Sequence, residues 1–276
     1  MKMESFGMEA ALPRARTGRH PMIITAVLAL ALAVLGISVE AQQPDVKAII
    51  DPGAMAALDQ MGAYLRTLKA FQIQAVTTTE EVLDDGQKVQ YGGVVNFVAK
   101  FPDRLRVEVA NDRQDRLYLY DGKTFTLWAK RINYYATIPA PPTIRKLADL
   151  LDDKYGIEVP LADLFLWGAP GVKPDVITAA MDVGPSSVLG VTCEQYAFRQ
   201  AGLDWQIWIQ KGDYPLPRKL VLTTVTDEAR PQHTATYAWN LAPSINEGAF
   251  LFDPPSTAKR IVFAEDEPTA GAGSKK

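Results

Sequence analysis

Few groups in this chain could do chemistry, and none is placed for it. The sequence holds two histidines and one cysteine. His20 lies in the N-terminal apolar region, which leaves His233, in Pro231-Gln232-His233 at a strand entrance, as a solvated or singly bonded imidazole. A Ser-His-Asp triad would need that imidazole beside a serine on a sharp turn, and no Gly-x-Ser-x-Gly elbow occurs. A zinc centre needs several histidines or cysteines. Cys193 alternates with Val191 and Gln195 and reads as a small strand side chain, since a nucleophile needs a nearby base. A lone cysteine forms no intrachain disulfide. The adjacent carboxylates Asp84-Asp85, Asp152-Asp153 and Asp227-Glu228 fall in turns or at helix ends, where solvation explains them. Glycosidase chemistry wants two separated carboxylates on a concave face. No glycine-rich phosphate loop is present, and Gly92-Gly93, inside a strand, reads as a bulge or bend. The expectation is a protein that is not an enzyme, with no cofactor and no metal.

What the chain supplies instead is alternation. Residues 94–101, 104–109, 116–120 and 124–129 each place apolar side chains at every second position, separated by Pro102-Asp103, 111–115 and Asp121-Gly122-Lys123. A period of two means half-buried strands, and Asp-Gly between such runs signals a hairpin. Further strands are predicted at about 71–82, 88–100, 131–138, 175–182, 190–199, 203–210, 216–225 and 232–241. The turn Asp84-Asp85-Gly86-Gln87 joins the first two, and Pro139, Pro141 and Pro142 end the first sheet segment. Asp51-Pro52 starts a helix of about 52–69 with Leu58, Met61, Leu65 and Leu68 on one stripe. A second helix runs from Thr143 to a stop at Gly156, and a third, apolar piece spans 160–167.

The N-terminus reads as an export signal. Arg14, Arg16 and Arg19 precede the uncharged stretch Pro21–Val39, and Val39-Glu40-Ala41 offers cleavage after Ala41. The alternative is an uncleaved anchor, since about 18 apolar residues just span a bilayer. Either places the bulk of the chain in the periplasm. The organisation expected is signal 1–41, linker 42–51, one domain 52–264 and a polar, disordered tail 265–276. A net charge of −3 and no basic block beyond the signal make nucleic acid an unsuitable partner.

Five tryptophans, ten tyrosines and ten phenylalanines supply apolar surface. Trp205, Ile207 and Ile209 share one face of their strand while Trp208 takes the other. Such residues read either as ordinary core or as a concave face that accepts an acyl chain under a lid formed by 143–167.

Three stretches carry a family resemblance: Val95 to Arg106, Tyr120-Asp121-Gly122-Lys123-Thr124, and Phe250-Leu251-Phe252-Asp253-Pro254-Pro255. Together they resemble the LolA/LolB-like superfamily of periplasmic lipoprotein carriers. Asp204–Ile209 and Pro215–Lys219 look like a branch of that superfamily made up of predicted periplasmic proteins of unassigned function. The resemblance covers about residues 50–262. It implies a mainly β (α+β), LolA-like fold, a strongly curved antiparallel sheet or incomplete barrel of about 9–11 strands, with helices over the open side and acyl chains bound within. One departure stands out. The carriers have an arginine before the turn proline that helps hold the lid, and here that place is Phe101, with Lys100 and Arg104 as the candidate substitutes.

The function expected is non-enzymatic binding of a lipid, lipoprotein acyl group or other apolar ligand in a concave cavity. Candidate lining comes from Phe71 and Ile73, from Val94 and Phe97, and from Leu105 and Val107. Leu117 and Leu119, Phe125 and Leu127, and Trp205 and Ile207 complete it. Leu147, Leu151, Leu164, Phe165 and Trp167 are the candidate lid. The alternative is a structural or assembly factor of the cell envelope that binds another protein through Trp208 and 160–167.

Overall fold

Alternation in the sequence becomes one large sheet. The computed structural model describes residues 49–160, 165 and 176–263. The export signal, most of the linker, the tail, and the lid candidates Leu164 and Trp167 lie outside the described residues. Helix α1 (Pro52–Thr67) is followed by β1 (Ala70–Val82), β2 (Lys88–Lys100), β3 (Arg104–Asn111), β4 (Asp115–Tyr120), β5 (Thr124–Ala129) and β6 (Tyr134–Pro139). Helix α2 (Ile144–Tyr155) precedes β7 (Ile177–Val188), β8 (Val191–Gln200), β9 (Leu203–Gln210), β10 (Pro217–Thr224) and β11 (Gln232–Asn240). A 3₁₀ turn, Glu247–Phe250, and a two-residue β12, Lys259–Arg260, complete the described chain.

The order across the sheet is β12-β6-β5-β4-β3-β2-β1-β11-β10-β9-β8-β7. Every pair is antiparallel except β12 with β6. The sheet curves without closing, so the mainly β expectation holds. It is one strand wider than expected because β12 is too short to show a period.

Local chemistry fixes the connections. Gly86 and Gly122 both take positive φ in their hairpins (83° and 88°), a conformation side chains disfavour. The Asp121 carboxylate accepts from the backbone N–H groups of Lys123 and Thr124 at 2.9 and 2.7 Å. Gly92-Gly93 makes no bulge: the β1–β2 register runs through it unbroken. Gly93 is there for space, since a Cβ would lie 2.8 Å from Thr77 Oγ1 and 3.1 Å from Asn111 Cβ. The register shifts occur instead in β7–β8 and at Pro217 in β9–β10.

Both helices begin on side-chain caps. Asp51 Oδ1 accepts from Gly53 N–H at 2.7 Å with Pro52 in the first turn, and Thr143 accepts from Lys146 N–H at 3.3 Å. Gly156 ends α2 at φ 57°. Leu58, Met61 and Leu65 of α1 and Leu147 and Leu151 of α2 are buried in one core with the sheet.

Candidate functional site

Cross-strand register sorts the sheet into two faces. The helix-covered, inner face carries Phe71, Ile73 and Ala75 of β1, Val95, Phe97 and Ala99 of β2, and Leu105 and Val107 of β3. Tyr118 and Tyr120 of β4 continue it to Phe125 of β5, and Phe198 of β8, Trp205 and Ile207 of β9 and Tyr237 of β11 carry it across the other half. Nine of the twelve candidate lining residues are therefore on this face: Phe71, Ile73, Phe97, Leu105, Val107, Phe125, Leu127, Trp205 and Ile207.

Val94, Leu117 and Leu119 are not among them. Tyr120 pairs with Phe125 and Tyr118 with Leu127, which puts Leu117 opposite Trp128 and Leu119 opposite Thr126 on the outer face. Val94 pairs with exposed Val76, out of step with Val95 and Phe97. The physical cause is the two-residue period itself: neighbours of opposite parity cannot share a face. The Asp121-Gly122 hairpin held the signal that would have chosen Tyr118 and Tyr120, because it fixes Tyr120 opposite Phe125.

At one end the inner face is stacked with rings. Phe71 contacts Phe97, Phe101, Phe165 and Trp239 at centroid distances of 5.9, 6.0, 5.1 and 5.6 Å. The lid candidates Leu147 and Leu151 are fully buried beneath α2, and Phe165 lies on Phe71 and Phe97. Phe101, at the position where the resemblance implies an arginine, contacts Phe165 at 6.2 Å. Lys100 and Arg104 do not substitute for it. Both are bound to Glu247, Arg104 Nε at 3.6 Å, and hold the C-terminal segment.

At the other end the same face turns polar. Along β1, fully buried Ala75 is followed outward by half-buried Thr77 and Thr79. Along β11, buried Ala235 is followed by half-buried His233, whose Nδ1 lies 2.8 Å from Thr79 Oγ1. Burial holds His233 below the usual imidazole range, so it is neutral at pH 7. Tyr91 pairs with Thr79 across β1–β2, and the Arg113 guanidinium stands 4.0 Å over its ring and donates to Glu81 Oε1 and Tyr91 Oη at 2.6 and 2.5 Å.

The outer face has its own cover. The 3₁₀ turn and the residues after it cross β3 to β6: Arg106 Nη1 donates to the Ala249 carbonyl at 3.0 Å, and Phe252 contacts Trp128 and Tyr135 at 5.9 and 5.0 Å. Phe263 then returns to the inner side, 6.2 Å from Phe125 and 5.3 Å from Tyr155. Phe263 had no sequence signal, lying in an aperiodic stretch. On the other half of the outer face, Trp208 is buried with Val188, Cys193 and Val221, its Nε1–H donating to Ser186 Oγ at 3.0 Å and Lys219 Nζ lying 4.6 Å over its ring. Trp208 is thus enclosed by its own chain. Burial raises the Cys193 thiol above its ordinary range, which keeps it protonated and unreactive.

Among the described residues no group of three His, Cys, Asp or Glu side chains could hold a metal, and no helix is long and apolar enough to cross a membrane. The pattern of a family described as predicted periplasmic protein (DUF2092) matches residues 54–264. The chain belongs to this family. A family of predicted periplasmic proteins, as the short motifs imply, is the one that matches, and the protein is periplasmic. No curated protein matches. Among solved structures, the Mycobacterium tuberculosis lipoprotein LppX is similar at 9% identity over 71% of this chain and 100% of that one, with a TM-score of 0.37. LprF from Mycobacterium bovis is similar at 11% identity over 76% and 99%, also at 0.37. A LolA superfamily protein from Nitrosomonas europaea is similar at 9% identity over 72% and 97%, at 0.29. All three scores lie below one half, and what those names say is said of those proteins.

Proposed function

We propose that the protein is a non-enzymatic periplasmic binder of a lipid, a lipoprotein acyl group or another apolar ligand, held between the inner face of the sheet and its helices. The observation that carries this reading is the kind of cover the inner face has. It is apolar across neighbouring strands from β5 to β8, and separate helices close it, not a second sheet. Over this face α1 and α2 contribute side chains, and the backbone bonds that tether their starts are few, Asp51 N–H to the Ala180 carbonyl at 3.0 Å and Ile144 N–H to the Pro102 carbonyl at 2.8 Å, so moving the helices off the face leaves the pairs between the numbered strands intact.

The face is shut in this conformation: Phe71, Ile73, Leu105, Val107 and Phe125 are all 0% exposed. A ligand enters by taking the place of the chain's own cover, with the Phe165 ring on Phe71 as the most direct group to replace. Burying about a dozen methylenes at ~0.8 kcal/mol each gives roughly 10 kcal/mol gross. That exceeds the roughly 1.5–3 kcal/mol held by one buried phenylalanine and leaves a surplus for the cost of association.

Native mass spectrometry after exposure to phospholipid vesicles tests the reading, with tryptophan emission as a second reporter because Trp205 and Trp239 line the inner face. Bound lipid together with an emission change is expected. A ligand-free species with unchanged emission after exposure defeats the proposal.

A further inference from the structure

We infer that the polar end of the inner face is a head-group site for an acyl amphiphile whose head is uncharged and hydrogen-bonding, a glycerol ester or an amide, with the chain directed toward Phe71. This inference rests on the apolar-ligand reading and adds the chemistry and orientation of the ligand.

Three strands build the site. β1 gives Thr77 and Thr79, β11 gives His233, and β2 gives Gly93, which faces Thr77 across the β1–β2 pair. Gly93 brings no side chain over Thr77 Oγ1, which a Cβ there would approach to 2.8 Å, so the hydroxyl is left uncovered on the β2 side. Going inward from Thr77, every side chain on this face of β1 is apolar, through Ala75 and Ile73 to Phe71. Burial changes at the same place: Thr77, Thr79 and His233 are half-exposed, while on the same face Ala75 and Ile73 of β1 and Ala235 and Tyr237 of β11 are buried. The inner face therefore meets water where its side chains become hydroxyls and an imidazole. An amphiphile lying along β1 would match both halves, since a buried polar head left without partners is penalised and a wet acyl chain likewise.

The charge of the head follows from the surroundings. Thr77 and Thr79 offer neutral hydroxyls, each a donor and an acceptor. Asn111 Oδ1 is already occupied by the backbone N–H groups of Arg113 and Gln114, both at 2.8 Å. Of the cations at this end of β1 to β3, Arg113 is paired with Glu81 and lies on Tyr91, and Lys88 is paired with Glu80. A carboxylate head would meet a neutral imidazole and hydroxyls but no available positive charge. Esters and hydroxyls need none.

The test measures binding of three probes to the full mature chain by tryptophan emission and calorimetry: 1-monolauroylglycerol, laurate and uncharged N-phenyl-1-naphthylamine. Monolauroylglycerol is expected to bind about tenfold more tightly than laurate, and Thr77→Val, an isosteric change, to weaken monolauroylglycerol about fivefold more than the naphthylamine. Thr77→Ser, which keeps the hydroxyl, should restore the preference, and its folding controls for that of the valine variant. Laurate binding as tightly as the glyceride, or a Thr77→Val loss equal for all probes, overturns the head-group site. Binding of the naphthylamine alone also overturns it while leaving the apolar-ligand reading in place. If none of the three binds, both fall.

Discussion

Both faces of the sheet carry buried apolar side chains, many on the inner face and fewer on the outer, and they are covered by different means. Over the inner face lie capped helices, and the contacts are almost wholly apolar: Leu58, Met61, Leu147 and Leu151 against the rings and aliphatics of the strands. Over the outer face lies an extended segment pinned by polar groups, Glu247 to Lys100 and Arg104, the Ala249 carbonyl to Arg106, and Thr257 to Asn133 at 3.0 Å. Apolar cover is non-directional and can be exchanged for another apolar body of similar shape, whereas the pinned segment depends on particular partners at fixed distances.

The sharpest way to break this comparison is at the ring stack. Phe71→Ala removes a fully buried ring from contact with four others and is expected to lower unfolding stability by about 3–5 kcal/mol in urea titration. A loss under ~1 kcal/mol would mean that the inner face is already loosely filled. Gly93→Ala comes next. Its methyl would press on Thr77 and on the β3 backbone side, where Asn111 Cβ is 3.1 Å away, and the expected cost is about 1–3 kcal/mol. Phe252→Ala, on the outer face, leaves a half-buried ring site and should cost about 1 kcal/mol. If its cost matched that of Phe71→Ala, the outer segment would be core rather than cover.

Much of this was legible in the residues because strands with a clean period and Asp-Gly or Asp-Asp-Gly-Gln turns leave little choice. The helix starts at Asp51-Pro52 and Thr143 and the stop at Gly156 were legible for the same reason: caps are local chemistry. Register was not. Leu117 and Leu119 look as greasy as Tyr118 and Tyr120, and only the pairing of Tyr120 with Phe125 decides which pair faces the helices. Val94 was misplaced likewise, one residue out of step with Val95. The Gly92-Gly93 pair was read as a bend because sequence shows a missing side chain but not the neighbour that requires its absence. The C-terminal segment was invisible because its hold on the sheet is made of long-range single contacts, such as Phe252 on Tyr135, without any period.

Titration should separate the two faces by pH. His233, at the inner mouth, has a folded value below the ordinary 6.5 because burial disfavours the imidazolium. The unfolded chain therefore binds the proton more readily, so stability is unaffected above pH 6.5 and falls as the pH drops below it. Glu247, on the outer face, has the same sign but a different cause and a lower window: Lys100 by hydrogen bonding, and Arg104 with it, hold its carboxylate below the ordinary 4.5. Its contribution is complete above pH 4.5 and is lost only as the pH falls through the lower folded value. Asp204, bonded by Arg199, follows the same sign from 3.8 downward. Between 6.5 and 4.5, then, the group with a displaced value that titrates among the described residues is His233. Urea midpoints should hold steady above pH 6.5, decline through that window, and decline further below it. His233→Gln, which keeps a side chain able to hydrogen-bond Thr79, should flatten the first decline and leave the second. A first decline that survives the substitution would move the acid sensitivity away from the inner mouth, and with it the claim that the two faces respond to acid separately.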